Sequence, residues 1–308
     1  MRLFLLNWFY AVQLKLHAIW VGIATLLVAI KPTPHDPMQE GWNAAKQTLL
    51  LKNGLLLKYI ELGLPEGEVV IFLHGITASS RAWSLVVPYL SGQYRLYCLD
   101  FRGHGDSDKP RDGYTIQALA EDVIEFMDGK EIAQAHVVGH SLGGFVCQYL
   151  AVHWPERVKS VALIATALKV WRNRVTHQVE EATQPVPLVS KLASEEPKSS
   201  PLNPTFLKYL VREALRIPIR VWRQGIRRVF DEDFSETLKA VRRPALIIWG
   251  RRDPLFDRAS QTLLRAALPH AVIKIYENAG HNPHYQLPER LAEDLRAFLE
   301  FSAQVEAE

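Results

Sequence analysis

Apolar residues along the middle of the chain follow two alternating rhythms. Runs at Val69–Leu73, Tyr94–Leu99, Ala135–Val138, Val161–Ala165, Ala245–Trp249 and Val272–Tyr276, apolar but for Arg95, His136 and Lys274, have the length and composition of buried strands. Between them apolar positions return at helical spacing, which predicts helices near 81–91, near 116–128 and onward from Ser141 through Ala151. A last helix is expected from Pro288 to about Ala303, with Leu291, Leu295, Phe298 and Leu299 on its apolar stripe. Leu49–Leu57 reads as a hairpin about Asn53-Gly54. Strand–helix alternation of this kind argues for parallel βαβ units, hence an α/β protein.

Two segments break the rhythm. Between Ala165 and Ala245 about eighty residues carry no strand signal. The first half of that stretch is rich in proline and serine (Pro185, Pro187, Ser199, Ser200, Pro201, Pro204) and reads as loop. The second half spaces Arg216, Arg220, Arg223 and Arg227 by four, three and four, so that one continuous helix would show all four on one face. Such a stripe is either a solvated surface or a site for an anionic membrane. The other exception is residues 1–30, strongly apolar and ending in the run Ala18–Ile30. That run is shorter than the ~20 residues a span needs, unless Lys15 snorkels. Ile30 precedes Lys31 where a cleaved leader would have a small residue, and Trp8, Tyr10 and Trp20 suit an interface. The expectation is membrane association through an uncleaved anchor. Arg2 and Lys15 against Lys31 do not decide on which side of the membrane the remainder lies.

The chemistry is concentrated in three loops. Gly139-His140-Ser141-Leu142-Gly143 follows a strand and opens a helix, the setting of a nucleophile elbow. A serine hydroxyl needs a base, and that base an orienting acid. Asp253, just after the strand ending at Trp249, is the candidate acid, and His281, just after the strand ending at Tyr276, the candidate base. His284 is the nearest rival of His281, which is preferred because Gly280 lets the loop bring the ring toward the serine. Both loops leave the carboxyl ends of strands, where open α/β sheets place their sites. Leu142 N–H and Ile76 N–H, the latter in the His74-Gly75-Ile76-Thr77 loop, are the candidate oxyanion donors.

With His74-Gly75, the run Asp100-Phe101-Arg102-Gly103-His104-Gly105-Asp106-Ser107, the elbow and the two later loops, residues 45–300 resemble the α/β-hydrolases of the lid-bearing esterase and lipase type. The resemblance implies a mostly parallel eight-stranded sheet flanked by helices. It also implies division into an anchor and linker (1–35), a core in two parts (36–168 and 242–308) and an inserted helical lid (169–241). Relatives with aspartate at the elbow, the haloalkane dehalogenases and epoxide hydrolases, are disfavoured by Ser141. The expected activity is serine hydrolysis of a carboxylic ester, with a small, apolar or lipid-like substrate. The same constellation also serves lactone opening, carbon–carbon hydrolysis, perhydrolysis, acyl transfer or a slow ligand-sensing receptor.

Composition narrows the field further. Apolar residues make up 48% and charged residues 22%, which suits a large buried core. A net charge of +3 gives no reason to expect a nucleic-acid partner. Neither a metal-ligand spacing nor a dinucleotide fingerprint is present, so no metal or cofactor is expected. The two cysteines, Cys98 and Cys147, fall in a strand and a helix and read as core residues.

Overall fold

The computed structural model describes Thr33 and residues 35–172, 174–181 and 203–307. Residues 1–30, where the anchor is expected, and the proline- and serine-rich run from 185 to 201 lie outside the described residues. Eight strands form one sheet: β1 Gln47–Leu50, β2 Leu56–Gly63, β3 Glu68–Leu73, β4 Tyr94–Leu99, β5 Ala135–His140, β6 Val158–Ile164, β7 Ala245–Gly250 and β8 Val272–Tyr276. Their order is β1-β2-β4-β3-β5-β6-β7-β8, with β2 antiparallel to both neighbours and every other pair parallel. The order reverses at β3, so β5 lies beside β3 and sends its carboxyl end into the crevice of the sheet.

The inner strands β3 to β7 are apolar on both faces because both are covered, whereas the edge strands β1 and β8 are partly exposed. Ile71, Leu73, Val137, Leu163 and Ile247 point into one core, and Val70, Phe72, Val138, Ala162 and Ile248 into the other. Helices α2 (Ile116–Gly129) and α3 (Leu142–His153) fill the first core, and α9 (Pro288–Ala307) fills the second through Leu291, Leu295, Phe298 and Leu299. Cys98 and Cys147 are buried free thiols in opposite cores. The remaining helices are α1 (Pro37–Gly41), α4 (Arg174–Glu181), α5 (Pro204–Leu215), α6 (Ile219–Asp231), α7 (Arg258–Ala267) and α8 (Pro283–Gln286). Helices α4 to α6 all lie between β6 and β7.

The β1–β2 hairpin forms as expected, its loop stabilised by Leu51 N–H to Leu55 O (2.9 Å), Gly54 N–H to Leu51 O (2.9 Å) and Gly54 at φ +85°. The helix expected near 81–91 is not there. Two short 3₁₀ turns, Ser80–Trp83 and Val87–Tyr89, take its place. Pro88 lacks the N–H and would clash with the Ser84 carbonyl of an α-helix. The first turn is also drawn inward by Arg81, which is fully buried: its guanidinium donates to Glu213 Oε1 on α5 (2.6 Å), to the Gln39 carbonyl (2.6 Å) and to Asn43 Oδ1 (2.8 Å). Beside it Lys46 pairs with Asp100 (2.7 Å) and Asp106 (2.8 Å). Burial alone would raise the Asp100 carboxyl, but Lys46 and the N–H groups of Ser80 and Asp106 hold it below the usual range.

The four arginines do not share one helix. Pro218 separates Arg216, at the end of α5, from the three on α6. Arg216 pairs with Asp106 at the surface (2.6 Å), and Arg220 donates to the Lys109 carbonyl (2.6 Å). Among the described residues no helix is long and apolar enough to cross a membrane.

Candidate active site

Ser141 sits between β5 and α3 with φ +51° and ψ −112°, a conformation that costs an ordinary residue roughly 1–3 kcal/mol. The surrounding glycines make the turn possible by close approach. A Cβ on Gly139 would lie 2.2 Å from the Gly143 carbonyl oxygen, and one on Gly143 would lie 2.2 Å from the Leu73 carbonyl oxygen. The turn therefore packs directly on the end of β3, whose continuing loop carries Gly75 and Ile76.

His281 and Asp253 meet at the ends of β8 and β7. Their Nδ1···Oδ2 separation is 2.9 Å, with both side chains almost wholly buried. Asp253 Oδ1 accepts from the N–H groups of Leu255 (2.8 Å) and Phe256 (3.2 Å), so the carboxylate is fixed at both oxygens. The close approach of the two loops depends on Gly250: a Cβ there would lie 2.1 Å from the Gly280 carbonyl oxygen. Gly280 has no positive φ, and a Cβ there would make only ordinary contacts (Gln286 Nε2 at 3.5 Å), so its expected role passes to Gly250. His284 faces elsewhere. Its ring packs on Trp83, His140 and Tyr285, and neither of its nitrogens has a hydrogen-bond partner among the described residues. Burial, then the neighbouring His281, pushes it well below the ordinary imidazole range.

Ser141, His281, Ile76 and Leu142 all line one cavity that is partly open to solvent. Its other walls are largely apolar, with Val170, Val179, Ile226, Val229 and Phe230 from the segment between β6 and β7, and Leu255 and Phe256 from the aspartate loop. The N–H groups of Ile76 and Leu142 have no acceptor among the described residues.

Two histidines that the sequence reading does not assign brace the Ile76 loop. His74 accepts from Phe101 N–H at Nε2 (3.1 Å), which leaves its Nδ1–H to donate to the Gly75 carbonyl (2.8 Å). In a trans peptide the N–H points opposite the C=O, so this bond also fixes the direction of Ile76 N–H. His104 Nε2 reaches the Ile76 carbonyl at 2.9 Å. Burial, then the neighbouring His104, pushes His74 down to about 3, so its ring is neutral at pH 7, and burial also lowers His104. The Gly103-His104-Gly105 spacing is the signal: Gly103 and Gly105 have positive φ, and a Cβ on Gly105 would strike the Asp100 carboxylate at 2.2 Å. His140 links the elbow to the histidine loop through Nε2 and the His281 carbonyl (2.8 Å).

Comparison with known proteins places the chain in a family. A family profile described as alpha/beta hydrolase fold matches residues 68–288. The chain is 26% identical over 249 residues to 3-oxoadipate enol-lactonase 2 of Acinetobacter baylyi, covering 79% of this chain and 92% of that protein. To the monoacylglycerol lipase ABHD6 of Rattus norvegicus it is 25% identical, covering 75% and 74%. Among solved structures a bacterial membrane phospholipase A superposes with a TM-score of 0.76 at 25% identity, covering 98% of this chain and 99% of that one. Sheet order, elbow and profile agree that the chain belongs to the α/β-hydrolase family, with esterases, lipases and lactonases among its homologues.

Proposed function

We propose that this hydrolase cleaves carboxylic esters with an apolar acyl group, through Ser141 as nucleophile, His281 as base and Asp253 as its orienting acid. The observation that carries the reading is the buried Asp253–His281 hydrogen bond at the rim of an apolar cavity that Ser141 also lines. His281 takes the hydroxyl proton as Ser141 Oγ attacks the ester carbonyl carbon. The Ile76 and Leu142 N–H groups receive the oxyanion, a contribution of ~3–4 kcal/mol for each donor in comparable sites. The tetrahedral species collapses, the alcohol leaves with the proton from His281, and water activated by the same imidazole releases the acid.

The apolar walls favour an acyl chain over a polar substrate, and similarity to a monoacylglycerol lipase and a membrane phospholipase supports a lipid-like ester. Residues 169–241 act as the lid in this reading, since Val170, Val179, Ile226, Val229 and Phe230 cover the cavity. Similarity to an enol-lactonase favours one second reading, opening of a cyclic ester by the same groups.

A chromogenic acyl-ester series from short to long chain tests the proposal, run with the wild type and with Ser141→Ala. Turnover lost in the variant and an optimum at medium or long chains are expected. Turnover that survives in the variant, or none from a folded wild type, would overturn the ester reading; in the second case a lactone or slow ligand sensing takes its place.

A further inference from the structure

We propose that the outer face of α6 docks on an anionic phospholipid bilayer and brings the catalytic cavity to the lipid surface. The helix has two faces of opposite character. Its inner face contributes Ile226, Val229 and Phe230 to the cavity, and at Gly225 its backbone rests against Ile76 (an added Cβ would lie 3.3 Å from Cδ1). Its outer face carries Ile219, Arg220, Arg223, Arg227 and Arg228, all exposed, and no acidic residue precedes Asp231.

The arginines divide by what they already hold. Arg220 is committed to the carbonyls of Lys109 and Pro110, and Arg228 lies 3.7 Å from Asp231. Arg223 and Arg227 have no hydrogen bond or ion pair among the described residues. Arg227 acts at longer range on Glu180, itself held by Arg172. Two guanidinium groups one helical turn apart, with no carboxylate partner among the described residues, therefore face outward from the helix that covers the site. At the amino-terminal end of the stripe Ile219 is 54% exposed and Leu215, four residues earlier in the chain, 45% exposed. Basic residues beside large apolar ones are the composition of a helix lying in a bilayer interface. A nucleic acid fits less well, because no exposed aromatic residue alternates with the arginines and the net charge is only +3. The binding is independent of the ester reading; only its consequence, delivery of a lipid substrate, rests on that reading.

The full-length chain with Ile219→Cys, labelled with an environment-sensitive fluorophore, is the reporter; its two native cysteines are buried. Vesicles of phosphatidylcholine alone and vesicles also containing phosphatidylglycerol are the probes. The label reads the surroundings of α6 whether or not residues 1–30 also hold the protein to the vesicle. A blue shift is expected with the anionic vesicles only, reversed by high salt. Each basic residue near an anionic surface strengthens binding roughly fivefold, so neutralising two should lower the docked fraction relative to undocked about 30-fold. Arg223→Gln/Arg227→Gln should show this loss, while Arg258→Gln/Arg265→Gln on α7, with the same change in net charge, should not. Circular dichroism confirms that both variants fold. Equal shifts on both vesicle types, no shift on either, or equal behaviour of the two double variants would overturn the proposal. A shift produced by duplex DNA and not by anionic vesicles would replace the bilayer by nucleic acid.

Discussion

Replacing Asp253 with asparagine tests the arrangement of the site at a single atom. Asp253 Oδ1 accepts two backbone N–H groups, from Leu255 and Phe256, and that position requires an oxygen. The amide oxygen of an asparagine must take it, which turns the NH₂ group toward His281 Nδ1, 2.9 Å from the present Oδ2. An NH₂ facing Nδ1 demands an unprotonated nitrogen, so the ring proton moves to Nε2. The nitrogen that should take the Ser141 proton then already carries one. Loss of the correct tautomer in serine hydrolases of this logic costs about 10⁴ in kcat, equivalent to ~5.5 kcal/mol of barrier. Steady-state hydrolysis of a chromogenic ester by Asp253→Asn measures it, with thermal melting as a check on folding. A folded variant that loses less than about tenfold, an order of magnitude worth ~1.4 kcal/mol, would show that Asp253 does not set the tautomer, and the mechanism would need another acid.

Exchange of either histidine in the last loop separates base from bystander. His281→Phe should abolish ester turnover, while His284→Phe, whose native nitrogens have no hydrogen-bond partner to lose, should melt within ~1.5 kcal/mol of the wild type and keep its turnover. Acid should destabilise the protein early. His74 and His136, pushed down to about 3 and about 4 by burial, stay neutral in the fold but protonate near 6.5 when unfolded. Stability is therefore full above that value and falls as pH drops toward 4, by up to ~1.4 kcal/mol per pH unit for each such histidine, readable from melting at stepped pH; a melting temperature unchanged between pH 7 and 5 would contradict this. Arg81→Met leaves Glu213 buried without its cation and should cost ~3–5 kcal/mol, a fall in melting temperature on the order of 10 °C. Arg81→Met/Glu213→Met should recover much of that loss; a double variant no better than the single would show that the guanidinium acts mainly through Gln39 and Asn43.

The strands, the hairpin and the three loops at the strand ends were legible because each rests on local chemistry: an apolar run, a turn residue, a glycine beside a serine. What was hidden depends on distant partners. The stretch 81–91 has helical spacing, yet Arg81 is claimed by Glu213, more than a hundred residues away, and Pro88 blocks the turn. Arginine spacing suggested one stripe, which Pro218 divides. Gly280 was credited with an approach that Gly250 makes possible, because only the paired loops show which backbone would meet a Cβ. The bracing by His74 and His104 could not be read, since a histidine's tautomer is decided by the groups it meets in space. Helix α7, absent from the sequence reading, has Ser260 and Gln261 among its few buried residues, which weakens its apolar periodicity.

The ion pairs beneath the 3₁₀ turn also say where this chain can be cut. The family-profile match begins at residue 68 and the sheet at Gln47, so either would look like a natural start for a shortened protein. A chain trimmed to Gln47 would keep every strand and all three loops of the site. It would nonetheless lose Lys46, leaving Asp100 charged in the interior, and lose Gln39 and Asn43, leaving two sides of the Arg81 guanidinium without acceptors. Trp42, which packs in the second core and donates to Ser80, would go with them. The smallest stable unit thus begins near Asp36, eleven residues ahead of the first strand.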